Sequence, residues 1–162
     1  MSRTLILGLG NRLMTDDAVG LEALGAFRAK YGVPDGVDLM DGGTLGLDLL
    51  VHLEGYPRVL ILDCVCTGRA PGDVVRVDGD AIGVVFADCL SPHQVGLQDL
   101  VAVLQLQGRV PERLTVIGVE PERIDPGLDL SAPVRAALPR MLEAAAGVLR
   151  EWGLGVGGRP GA

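Results

Sequence analysis

Asp16, Asp17, Asp63 and His93 are the side chains whose types and spacing promise chemistry. The two adjacent acids lie in LGLGNRLMTDDAVG, residues 7–20, directly after a short apolar run and two glycines. Asp63 ends the apolar run RVLILD, and His93 stands just before a helical pattern that begins at Gln94. Two carboxylate oxygens and one imidazole nitrogen suit a borderline divalent ion such as nickel or zinc. Three protein ligands leave positions open for water or for groups that a substrate brings, which is the pattern of a reactive or recognition site. A histidine at a helix N-terminus is biased toward neutral imidazole, the form that binds metal. The same carboxylates could instead act as a general base on water. Each residue also has a plain structural reading: either acid of the pair as a helix cap, Asp63 as a strand-end turn residue, His93 as a loop histidine.

The elements that must position these groups alternate strand and helix. Strand runs at 3–8, 37–41 and 58–63 are separated by helical patterns at 18–30 and 45–54, the second capped by Thr44 and ended by Gly55. This opening implies a parallel sheet with helices on its faces. The link to the next run, DVVRV at 73–77, is about nine residues long, too short for a parallel crossover, so the fourth strand is expected to be antiparallel. A helix over 94–107, a fifth strand at 113–119 and a long final helix capped by Ser131 and bent at Pro139 complete the chain. Residues 78–92 show no clean period. The expected fold is a three-layer α/β/α arrangement with a twisted, mostly parallel five-stranded sheet, phosphorylase/hydrolase-like. One domain spans 1–152, and 153–162 is a flexible Gly-rich tail. In such sheets, sites lie beyond the carboxyl ends of the strands, where strand order reverses. A 2-1-3 start puts that point between strands one and three and brings Asp17 and Asp63 to one crevice.

Other chemistries fit less well. A dinucleotide fingerprint needs a third glycine where Leu13 stands, and Asp16 and Asp17 would repel a pyrophosphate at the helix start. The motifs G-x-x-x-x-G-K-[ST], H-E-x-x-H and G-x-S-x-G are absent. His52 reads as a surface residue, Cys64 and Cys66 as packing residues, and a Cys89–His93 dyad has no evident orienting partner. A net charge of −7, with 14 scattered basic residues, argues against nucleic acid. No window approaches the ~18 apolar residues of a membrane span. Three cysteines without a disulfide framework and no signal-peptide pattern suit a cytoplasmic protein.

Taken together, GLGNRLMTDDAVG, DGGTLGLDLL, LILDCV and SPHQVGLQDLVAVLQLQGRVPERLTVIGVEPE resemble the hydrogenase maturation endopeptidases, in order and spacing, over about residues 3–150. The resemblance implies a hydrolase, of aspartic or metallo type, that removes the C-terminal extension of the precursor of a nickel–iron hydrogenase large subunit after nickel insertion. It implies that Asp17, Asp63 and His93 are the catalytic and metal-contacting residues. Asp17 stands where the family often has glutamate, one methylene longer. Nickel is then contributed by the substrate, and zinc or cadmium can occupy the same site. The backbone of Asp41, Gly42, Gly43 and Thr44 has two readings, a turn that caps the second helix or a seat for the extended C-terminal peptide. Asn11 is expected to fix the first loop by side-chain hydrogen bonds. A non-catalytic, nickel-dependent chaperone that binds the same precursor is the alternative function.

Overall fold

A computed structural model describes residues 3–43, 48–85 and 95–157 of the chain. Strand β1 (Thr4–Leu9) leads through a 3-10 turn, Thr15–Ala18, into α1 (Val19–Tyr31). There follow β2 (Val37–Gly43), α2 (Leu49–Leu53), β3 (Arg58–Cys64), β4 (Val74–Asp78) and α3 (Ala81–Val85). The helix α4 (Val95–Leu106), β5 (Arg113–Val119) and α5 (Ala132–Glu151) end the order. The sheet runs β2-β1-β3-β5-β4, parallel except for β4, which pairs antiparallel with β5 at one edge. The short link after β3 thus has the outcome its length dictates.

Both sheet faces are covered, which is why the strands read as unbroken apolar runs. On one face Ile6, Leu60, Leu62 and Ile117 pack with Phe27 of α1 and Val134, Met141, Ala145 and Leu149 of α5. On the other, Leu5, Leu7, Val59, Ile61 and Val116 meet Leu49 and Leu53 of α2 and Leu100, Val101 and Leu104 of α4. Among the described residues, no helix is long and apolar enough to cross a membrane.

Several local expectations change. Gly42 and Gly43 belong to β2 and do not form a turn after it: Gly43 pairs with Leu9 across a register shift in β1. Gly43 has φ +49, a conformation glycine enters without a Cβ penalty. The described part of the second helix begins at Leu49, preceded by Asp48, and ends at Leu53, with Glu54 extended; Thr44 lies outside the described residues. Ser131 precedes α5 in extended conformation but makes no side-chain cap, because its hydroxyl is used elsewhere. In the segment expected to be a flexible Gly-rich tail, Leu154 is half-buried, while Gly153, Gly155 and Gly157 are exposed. Gly153 (φ +82) donates to Arg150 O and Leu154 N–H to Leu149 O, the paired bonds of a Schellman motif, and Val156 is buried. Within 78–92, β4 runs to Asp78 and α3 follows; residues 86–94 lie outside the described residues.

Candidate active site

Strand order reverses between β1 and β3, and the candidate site lies at their carboxyl ends. The loop after β1 is forced close to the sheet by glycine. Gly10 has φ +137, and a Cβ there would overlap the Asp17 carbonyl oxygen. A Cβ at Gly20 would overlap the carbonyl oxygens of both Leu9 and Leu62. These glycines let the first turn of α1 rest directly on β1 and β3, with Asp17 held just above them.

Asp17 and Asp63 are both 3% exposed. Asp17 Oδ2 accepts a hydrogen bond from Asn11 N–H at 3.0 Å, and Asn11 Oδ1 accepts from Leu13 N–H at 2.9 Å, so Asn11 does brace the loop. Asp63 Oδ1 accepts from Cys64 N–H at 2.7 Å. Burial, reinforced by the neighbouring Asp17 charge, holds the Asp63 carboxyl well above the usual carboxylate range, against the opposing pull of that single N–H. The two expected carboxylates are therefore near enough to repel one another in a dry crevice. Such a pair resists losing both protons unless a cation arrives, which suits it to acid–base work or to ligating a divalent ion. His93, the third expected member, lies outside the described residues. Among the described residues, no three His, Cys, Asp or Glu side chains are grouped to hold a metal.

Asp41, Gly42 and Gly43 stand beside this crevice at the end of β2. Asp41 Oδ1 accepts from Gly43 N–H at 2.9 Å and its Oδ2 from Arg12 Nη2 at 3.0 Å, an exposed ion pair between the two loops. Gly43 O accepts from Gly10 N–H at 3.1 Å, so Gly43 has both backbone groups engaged within the chain. Gly42 is buried against Leu7, Leu9 and Leu49 with no space for a side chain. These glycines form wall rather than open donors. Cys64 is buried in the core, and burial with the nearby carboxylates pushes its thiol pKa up, which fits packing and not nucleophilic attack. His52 is exposed, as expected.

Asp16 is not a cap of its own helix. It is fully buried and accepts from Glu122 N–H (2.9 Å), Arg123 N–H (3.1 Å), Ser131 N–H (2.7 Å) and Ser131 Oγ–H (2.7 Å). Next to it, Thr15 adopts φ +44, a strained conformation for a β-branched residue. Its N–H donates to Gly127 O at 3.0 Å, its hydroxyl donates to Arg123 O at 3.0 Å, and its Oγ1 accepts from Asp125 N–H at 3.1 Å. Gly127 N–H returns a bond to Leu13 O at 2.9 Å, and a Cβ on Gly127 would lie 2.8 Å from the Thr15 methyl. The loop after β1 is thus stitched to the β5–α5 connection. Sequence reading missed this partnership. The signal was length: residues 120–131 make a twelve-residue link where two to six is usual for such connections, with two Asp and two Pro. Buried Glu120 works similarly at the other rim, accepting from Thr67 N–H and Oγ–H and from Gly68 N–H.

Known proteins resemble this chain in sequence and in fold. A family model described as hydrogenase maturation protease matches residues 22–148. The chain is 36% identical to the hydrogenase 2 maturation protease of Escherichia coli (strain K12) over 153 residues, covering 94% of this chain and 93% of that protein. It is 39% identical over 160 residues to the hydrogenase expression/formation protein HupD of Rhizobium leguminosarum, covering 98% of this chain and 79% of that protein. Among solved structures, the hydrogenase maturating endopeptidase HybD from E. coli superposes with a TM-score of 0.88 at 36% identity, covering 97% of this chain and 98% of that one.

Proposed function

The chain belongs to the hydrogenase maturation proteases, and on that footing we propose that it cuts the C-terminal extension from the nickel-loaded precursor of a nickel–iron hydrogenase large subunit, in the cytoplasm. Asp17, Asp63 and His93 meet the nickel ion that the precursor carries and complete its coordination. Nickel is part of the substrate, and zinc or cadmium would be stand-ins for it. The observation that carries this reading is the buried Asp17–Asp63 pair at the switch point of the sheet. Two carboxylates kept out of water and close together favour the arrival of a cation, and the substrate's own metal supplies one. A precursor without nickel brings no such cation and is rejected, which makes metal loading a condition of binding.

Hydrolysis adds one water across the scissile peptide bond. A proton leaves the attacking water and another must reach the departing amine, and the carboxylate pair is placed to relay them. The precursor's ion, held by Asp17, Asp63 and His93, would supply Lewis acidity toward the scissile carbonyl or the water. The end of β2, from Asp41 to Gly43, borders the path of the extended C-terminal peptide, with the Arg12–Asp41 ion pair on its rim.

Incubating the purified chain with nickel-loaded precursor tests this directly. The expected result is a mass loss equal to the extension, none with metal-free precursor, and at least about a hundredfold slower release with Asp17→Asn. A stable complex with no mass change would assign the chain a chaperone's role instead. Full activity of Asp17→Asn would remove Asp17 from the mechanism.

A further inference from the structure

Asp16 lies beside Asp17 in sequence yet faces away from the site into a set of donors. Its Oδ2 takes three hydrogen bonds and its Oδ1 a fourth, from the backbone of Glu122, Arg123 and Ser131 and from the Ser131 hydroxyl. Every donor belongs to the β5–α5 connection, and the carboxylate is fully buried. With its acceptor capacity filled, Asp16 has nothing to offer a substrate or an ion. What it does control is the backbone it shares with Asp17. Three of its donors are backbone N–H groups of a segment that follows β5 and is itself tied to the turn before β4, since Glu120 N–H donates to Asp73 O and Gly72 N–H to Glu120 O.

We propose that Asp16 is the positioning residue of the candidate site: it clamps the 3-10 turn to the β5–α5 connection and so fixes where the Asp17 carboxylate stands relative to Asp63. Charge-assisted bonds to a buried carboxylate are the strong kind, and here they hold a single turn. Thr15 shares the load, since its strained φ is retained only because Gly127, Arg123 and Asp125 bind it on the same segment. A misplacement of about 1 Å in a reacting group costs about a hundredfold in rate, so a clamp of this kind is felt in turnover before it is felt in binding. The inference rests on the proposed role of Asp17.

The test uses the full chain and nickel-loaded precursor. Asp16→Asn keeps the shape but replaces one acceptor oxygen with a donor facing N–H groups, so the array cannot be satisfied. The expected result is a fall in kcat of about tenfold to a hundredfold with KM within about threefold. Ser131→Ala removes the hydroxyl donor alone and lowers kcat by about twofold to fivefold. Val148→Ala, in the core at the far end of α5, serves as a destabilised control expected to keep its kcat. If Asp16→Asn does not fold, Ser131→Ala decides the matter alone. The proposal is overturned by wild-type kcat in Asp16→Asn, or in Ser131→Ala where the former is unfolded. It is overturned equally by a loss confined to KM, or by an equal kcat loss in Val148→Ala. Asp17→Asn, run in parallel, separates the two ideas: an active Asp17→Asn sinks the reading of the site, whereas an inactive one beside a fully active Asp16→Asn sinks only the clamp.

Discussion

Replacing Gly20 by alanine would press on the joint between the first helix and the sheet. A Cβ at that position overlaps the Leu9 and Leu62 carbonyl oxygens and lies 2.8 Å from the Leu62 carbonyl carbon. Carbon–carbon contacts prefer about 3.5–4.0 Å, so the first turn of α1 must retreat by about 1 Å. Neither neighbour can yield, because both are backbone in the centre of the parallel sheet. Overpacking of this kind costs about 1–3 kcal/mol, or roughly 2–4 °C of melting temperature per kcal/mol in a domain of this size. Asp17 stands three residues upstream on the same rigid turn and moves with it, so precursor cleavage should slow by about a hundredfold. Gly25→Ala is the matched control. It lies on the same helix, exposed, with no atom within 4 Å of a built Cβ, and gains about 0.5–1 kcal/mol from helix propensity. Thermal melts followed by circular dichroism, with single-turnover cleavage followed by mass spectrometry, read both effects. A Gly20→Ala protein that melts and cleaves like the wild type would refute the claim that close approach of α1 sets the site.

Asp63→Asn should inactivate the enzyme while stabilising it at neutral pH. The folded-state pKa of Asp63 lies above its unfolded value, so its contribution to stability is full below about pH 4 and is lost as pH rises through the folded pKa. The variant should therefore gain about 1 kcal/mol or more at pH 7, ~2–4 °C, and the difference should vanish in acid; melts across pH that show a constant offset would contradict this. Gly153→Ala places a side chain at φ +82 in the Schellman turn and should cost about 1–2 kcal/mol without altering the cleavage rate per folded molecule, as chemical denaturation beside an activity assay would show.

How much of this was legible beforehand divides by range. Strand order, the antiparallel β4 and the crevice between β1 and β3 follow from the alternation of patterns and from one short link, which are local features. Asp17 and Asp63 could be paired on paper because each ends or follows a strand whose place in the sheet was already determined. The role of Asp16 could not be read in this way, since its partners lie 106 to 115 residues away and three of its four donors are backbone N–H groups that any residue supplies. Ser131 has the right residue type for a helix cap and occupies the capping position, yet its hydroxyl goes to a buried carboxylate with a greater need for it. Gly42 and Gly43 looked like a turn because two glycines so often make one; here the register shift opposite Leu9 keeps them in the strand.

The stitching of residues 13–16 to residues 122–131 also bears on how the protein is made. A growing chain on the ribosome completes β1, α1, β2 and β3 long before the segment that fastens the first loop has been synthesised. Until residues 122–131 have been made, Asp16 has none of these four donors and Thr15 lacks the bonds to Arg123, Asp125 and Gly127. The acidic crevice is therefore one of the last parts of the molecule to take its working shape, and a partly made chain carries the sequence of a protease without its reactivity.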